Sequence, residues 1–354
     1  METIDLRSDT VTQPTLAMRR AMMEAGVGDD GRMGPDGRGE DPTINRLEAM
    51  AAKMLGKERS LFMVSGTMGN LVALITHCRR GDHVALGENA HIYRNEKGPF
   101  MDDLYGLIPV TIPDPEGFLD LTLLKKALEA QPIRLVCVEN THNYSGGIAI
   151  KVEDLRKVRD LAKEHGLPVH MDGARIFNAG IALSTEPKVL AECADTVMFC
   201  FSKGLSAPVG SILVGSEEFI LRARERRKLV GGQMRQAGVI AAAGIEALEN
   251  MVGRLAEDHS KAKALAKALS GIEGLKVTED VQTNMVKLNL STLNLSAKAF
   301  QEELVKRGVK VHAVSPTDVR LVTHKDVSEK DCLLAAKIIS QFLREQQLAM
   351  ASRK

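Results

Sequence analysis

The sequence predicts an α/β protein: a large domain built on a mostly parallel sheet, followed by a smaller α+β domain. Three observations lead there. Between residues 55 and 216 short apolar runs alternate with helix-like segments, from residue 219 to about 269 the pattern is helical, and beyond 275 short strands and helices mix. Alternation of the first kind suits a parallel sheet covered by helices on both faces.

The apolar runs fall at 61–64, 83–86, 135–138, 168–171, 196–201 and 212–214, each followed within two residues by Gly, Ser, Asn or Asp. They read as six strands closed by turns. The stretch "AGVIAAAGIEALENMVGRLAEDHSKAKALAKAL" then repeats Ala and Leu at helical spacing and reads as a bridge between domains. Strands are expected at 275–277 and 285–290, a helix at 297–306, strands at 310–314 and 320–323, and a helix at 329–345. The domains are accordingly 1–250, carrying the N-terminal segment, and 251–354.

Charged residues make up 26% of the chain and apolar ones 44%, an ordinary globular mix. A net charge of +1 gives no electrostatic reason to expect nucleic acid or a membrane surface as partner. The basic segment "RARERRKLVGGQMR" reads as a solvated helix face unless an anionic ligand lies nearby. The five cysteines form no CxxC pair and no metal-ligand spacing with the nine histidines, so no metal is expected. With no leader-like start and no run of 18 apolar residues, the expectation is a soluble, cytoplasmic protein.

In an open α/β sheet, ligands gather at the carboxyl ends of strands. The first run is followed by "SGTMGN", whose Ser65, Gly66 and Thr67 read equally as a helix cap and as a phosphate cradle. No GxGxxG follows a strand, which argues against a dinucleotide. Later runs deliver His91, then Glu139, Asn140 and His142 in "ENTHN", then Asp172 and Arg175 in "MDGARIFNA", then Lys203 in "FSKGLSAPVGS". Taken singly each has a bland reading: an Asp caps helices, a Lys ends strands. Together, a phosphate cradle, a strand-end Asp and a strand-end Lys some 30 residues on are the parts that hold pyridoxal phosphate. The lysine takes the aldehyde as an imine, and the aspartate keeps the pyridine nitrogen protonated.

These segments, with "IDLRSDTVTQPT", "GEDPTINRLE", "AHIYR", "GGQMRQAG", "QTNMV" and "VRLVTH", resemble the L-threonine aldolases nearly end to end. That family belongs to the fold-type-I pyridoxal-phosphate enzymes of the β-eliminating lyase superfamily. The resemblance implies a large domain of the aspartate-aminotransferase type. It makes Lys203 the imine lysine, Asp172 the partner of the pyridine nitrogen, His91 the ring stacked on the cofactor, and Ser65, Gly66 and Thr67 its phosphate site. Ser8, Arg175 and Arg320 would hold the substrate carboxylate, and His142, with His91, would lie near the β-hydroxyl. Lys228 and Arg235 would reach the cofactor of a second subunit, in a homo-oligomer whose minimal unit is a dimer and which assembles as a tetramer.

The implied reaction is cleavage of L-threonine, L-allo-threonine or a related β-hydroxy-α-amino acid to glycine and an aldehyde. The chain departs from the family at "GDDGRMGPDGRGEDPT", where Arg38 replaces a tyrosine and residues 31–37 are extra. That departure keeps a second reading open, β-elimination or racemisation of a small amino acid on the same scaffold. The segment reads equally as an inert surface loop.

Overall fold

The computed structural model describes residues 3–351 and divides into two compact units. The larger spans Gln13–Gly253, and the smaller joins the N-terminal segment through Thr12 to the chain from Arg254 onward.

Seven strands form the sheet of the larger unit: β1 (Arg59–Met63), β2 (His83–Gly87), β3 (Ile108–Ile112), β4 (Ile133–Glu139), β5 (Val169–Asp172), β6 (Thr196–Cys200) and β7 (Ser211–Gly215). Their order across the sheet is β1-β7-β6-β5-β4-β2-β3. Every residue of β5, β6 and β7 is buried, as it must be where helices cover both faces. Six strands match the apolar runs. The seventh, β3, escapes a reading by apolar runs because Pro109 interrupts it. β3 is an edge strand, where a missing N–H breaks no ladder, and its outer residues alternate with buried ones.

The sheet is parallel except at β7, which runs antiparallel to both β1 and β6. Residues 201–210 join β6 to β7, too short a connection for a crossover helix, so the chain must turn straight back. That turn carries Lys203 at the edge where β4, β5 and β6 end.

The helix Gly66–His77 starts at the same edge. Ser65 caps it, with Oγ accepting from Met68 N at 3.1 Å. A Cβ on Gly66 would stand 2.7 Å from Cys200 Sγ, and one on Gly69 2.5 Å from Met198 Cγ. The glycines of "SGTMGN" therefore let the helix lie directly on β6.

In the smaller unit, His312–Ala313, Asp318–Val322, Met285–Asn289 and Lys276–Val277 form an antiparallel sheet in that order. Two expectations are corrected here. The N-terminal segment, placed with the large domain, belongs to this unit: Ile4–Asp5 pairs parallel with Val309–Lys310, and Ile4 and Leu6 are buried in its core beside Phe300 and Phe342. The single strand expected at 310–314 is two, broken at Val311, which is itself buried in that core. The helical stretch from 219 is three helices, Glu217–Leu229, Gly238–Asn250 and Leu255–Leu269, and the unit boundary falls between the last two. Among the described residues no helix is long and apolar enough to cross a membrane.

Candidate active site

Parallel strands in register bring their last residues side by side. Glu139 and Asp172 are Cα partners at the ends of β4 and β5, and Asp172 faces Met198 of β6. Asp172 is 2% exposed. Its Oδ1 accepts from Ala174 N at 3.1 Å and its Oδ2 from Asn70 Nδ2 at 3.0 Å. A buried carboxylate needs such donors, and here both oxygens have one.

Glu139 ties two loops together. Its Oε2 accepts from His91 N at 2.7 Å and its Oε1 from Asn143 N at 2.8 Å. His91 follows β2, with Nδ1 2.9 Å from Asn95 Nδ2 and about a third of its side chain exposed. Burial is the main cause that holds its pKa below the usual histidine range, so the ring is neutral at pH 7.

Lys203 sits in the turn after β6, where its carbonyl accepts from Ser206 N at 2.8 Å and Phe201 N donates to Gly210 O at 3.0 Å. Its ammonium acts electrostatically on His91, Glu96 and Cys200. Arg175, 6% exposed, precedes the helix Ile176–Ala182 and acts on His91 and Cys200 as well. The first turn of helix Gly66–His77 offers the Gly66 and Thr67 N–H groups at the positive end of the helix dipole.

His142, expected near a substrate hydroxyl, lies in the loop that follows β4. It is 2% exposed, with Nε2 3.2 Å from Asp114 Oδ2 and 3.9 Å from Glu139 Oε2, while Nδ1 accepts from Ser145 N at 3.3 Å. Burial opposes charge on this ring, yet Glu139 and Asp114 together raise its pKa.

The basic segment is only in part the solvated face its composition suggests: Arg222, Arg226 and Lys228 are exposed. Arg224 and Arg227 are buried against Asp30, at 2.9 and 2.5 Å, and Arg224 also meets Glu48 at 3.1 Å. These pairs anchor the foot of the extra loop, while Gly34 N donates to Arg38 O at 2.8 Å and closes its tip. Arg38 itself is exposed, 4.0 Å from Asp36. Lys228 is exposed and Arg235 pairs with Asp29 at 3.1 Å; among the described residues neither is hydrogen-bonded to the strand-end cluster.

Ser8 and Arg320 belong to the smaller unit. Ser8 Oγ accepts from Thr10 N at 3.2 Å, and Arg320 pairs in register with Lys287 on one side and His312 on the other.

Four residues of the cluster carry no role in the sequence reading: Asn70, Glu96, Asp114 and His170. Asn70 closes "SGTMGN", and Glu96 stands five residues after His91. The Glu96 carboxyl accepts from Asn70 Nδ2 at 3.2 Å and contacts the Thr67 hydroxyl. Burial, then the charge of Asp172, push its pKa up to about 8, so it keeps its proton at neutral pH.

A buried carboxylate, an amine on a turn and an anion-favouring helix start, gathered at the carboxyl edge of a seven-stranded sheet, define a class. The chain belongs to the beta-eliminating lyase family, whose sequence model matches residues 5–291. Within that class it is similar to low-specificity L-threonine aldolase 1 of Arabidopsis thaliana, 43% identical over 342 residues covering 94% of each chain. It is equally similar to the low specificity L-threonine aldolase of Escherichia coli K12, 43% identical over 334 residues, 92% of this chain and 95% of that one. Its fold matches a solved threonine aldolase of Leishmania major with a TM-score of 0.80 at 20% identity, over 96% of this chain and 99% of that one.

Proposed function

We propose that the protein uses pyridoxal phosphate to cleave L-threonine, L-allo-threonine and related β-hydroxy-α-amino acids to glycine and an aldehyde. One observation carries the proposal: the braced Asp172, the Lys203 turn and the start of helix Gly66–His77 lie at one sheet edge. The donor set suits the cofactor. The helix start favours a phosphate, Asp172 a protonated pyridine nitrogen, Lys203 an aldehyde, and His91 a ring face. Glu96 Oε2, buried and without a hydrogen-bond partner among the described residues, adds an unspent polar atom beside Asp172.

When bound, the cofactor supplies an electron sink for the pair left at Cα as Cα–Cβ breaks. The rest falls to the chain. Arg175 orients the substrate carboxylate, together with Ser8 and Arg320 on the strength of the family resemblance, and orientation decides which bond breaks. His91, neutral and partly exposed, takes the proton of the β-hydroxyl as the aldehyde forms. His142, closed in by Asp114 and Ser145, acts on position instead: it braces Glu139, which accepts the His91 N–H. Lys228 and Arg235 act across a dimer that pairs into a tetramer, and the five free, buried cysteines suit a cytoplasmic protein.

No observation favours β-elimination or racemisation, since Arg38 turns to its own loop. The test is an absorbance scan of protein loaded with pyridoxal phosphate, followed by assays for glycine and acetaldehyde from both threonine isomers. The proposal expects a long-wavelength band and equal amounts of the two products. A keto acid or a D-amino acid in their place overturns it.

A further inference from the structure

Behind Asp172 runs a chain of hydrogen bonds in which every donor faces the carboxylate. Its members come from three elements in matching register. His170 and Asp172 are two apart on β5 and share a face of the sheet, and Thr196 is the register partner of His170 on β6. Asn70 and His77 are seven apart on helix Gly66–His77, hence two turns apart on one stripe. The side chains then alternate between sheet and helix: Asp172, Asn70, His170, Thr196, His77.

Chemistry fixes the direction. Asn70 donates from Nδ2 to Asp172 Oδ2 at 3.0 Å, so its Oδ1, 3.1 Å from His170 Nε2, accepts. His170 therefore carries a proton on Nε2. Burial holds its pKa down to about 4, so the ring is neutral. With the proton on Nε2, its Nδ1 accepts from the Thr196 hydroxyl at 2.9 Å, beside the Thr196 backbone, which also reaches the ring. That hydroxyl has one hydrogen to give, so it accepts from His77 Nε2 at 3.0 Å. His170 is 0% and Thr196 1% exposed, and water does not compete for either.

We propose that Asn70, His170, Thr196 and His77 are positioning residues that aim Asp172 at the pyridine nitrogen, with Thr196 selecting the His170 tautomer. The inference rests on the reading of Asp172 as the cofactor's partner. With the proton on Nδ1 instead, His170 Nε2 would face Asn70 as an acceptor. The amide would then turn over and present its oxygen to the Asp172 carboxylate. Thr196, three hydrogen bonds from Asp172, thus controls which group Asp172 meets.

Thr196→Val keeps the shape and removes the hydroxyl; Thr196→Ser restores it. Apoprotein with ¹⁵N-labelled histidine reports the tautomer, and titration with pyridoxal phosphate reports affinity and the absorbance band. In wild type and Thr196→Ser the His170 proton is expected on Nε2. In Thr196→Val it leaves Nε2, the cofactor binds about tenfold more weakly, as loss of an orienting outer partner does at metal sites, and the band shifts. If Thr196→Val only melts earlier, with tautomer, affinity and band unchanged, the inference is overturned and the reading of Asp172 stands. If wild-type protein takes up no pyridoxal phosphate, both fall.

Discussion

Glu139 and Asp172 are register partners at the ends of neighbouring parallel strands, and their carboxylates do different work. Glu139 accepts two backbone N–H groups, from His91 and Asn143, and holds loops. Asp172 accepts one side-chain and one backbone donor, from Asn70 and Ala174, and its orientation is fixed by them. The account therefore predicts that Asp172→Asn folds and still takes up pyridoxal phosphate, yet turns over L-threonine at least ~100-fold more slowly. Loss of one charge-assisted contact in the transition state costs about 3 kcal/mol. Steady-state acetaldehyde release checks this, and a near-wild-type kcat contradicts it.

Gly66→Ala tests the close approach of helix to sheet. The new Cβ would lie 2.7 Å from Cys200 Sγ, a buried neighbour. Overpacking of this kind costs roughly 1–3 kcal/mol, read as a lower midpoint in urea unfolding. Cys200→Ala removes the obstructing sulfur, so in the double variant part of the loss should return, a coupling that independent sites do not show.

The buried histidines make stability depend on acid. Burial lowers His170 from 6.5 to about 4 and His77 to about 3. Below pH 6.5 the unfolded chain takes protons that these folded rings refuse, so stability falls with pH from about 6.5 toward 4 and is fully present above that window. Across the whole window from pH 6.5 to 4, His170 alone costs the folded state roughly 3 kcal/mol relative to neutral pH. Urea midpoints measured between pH 7 and pH 5 should drop, and the drop should be smaller in His170→Gln, which no longer titrates there.

The fold was legible wherever burial wrote itself as an apolar run. β6 and β7, buried throughout, announce themselves, whereas β3, with Pro109 and an open face, does not. The placement of Lys203, Asp172 and Gly66 at strand ends was legible because each closely follows an apolar run. Arg224 and Arg227 were not, since a basic helix reads as solvated until Asp30 and Glu48 arrive from distant sequence. The same holds for His142, a motif histidine whose enclosure by Asp114 and Ser145 is a tertiary fact. His170 lies inside an apolar strand, and only the register with Thr196 and the helix stripe of Asn70 and His77 gives it partners.

The central claim is that Lys203 carries the cofactor. Borohydride reduction of protein loaded with pyridoxal phosphate, followed by digestion and mass mapping of the labelled peptide, tests it directly. The account predicts one phosphopyridoxyl group per chain, on Lys203, and no stoichiometric label in Lys203→Ala. A label on another lysine, or full labelling of the Lys203→Ala protein, contradicts it.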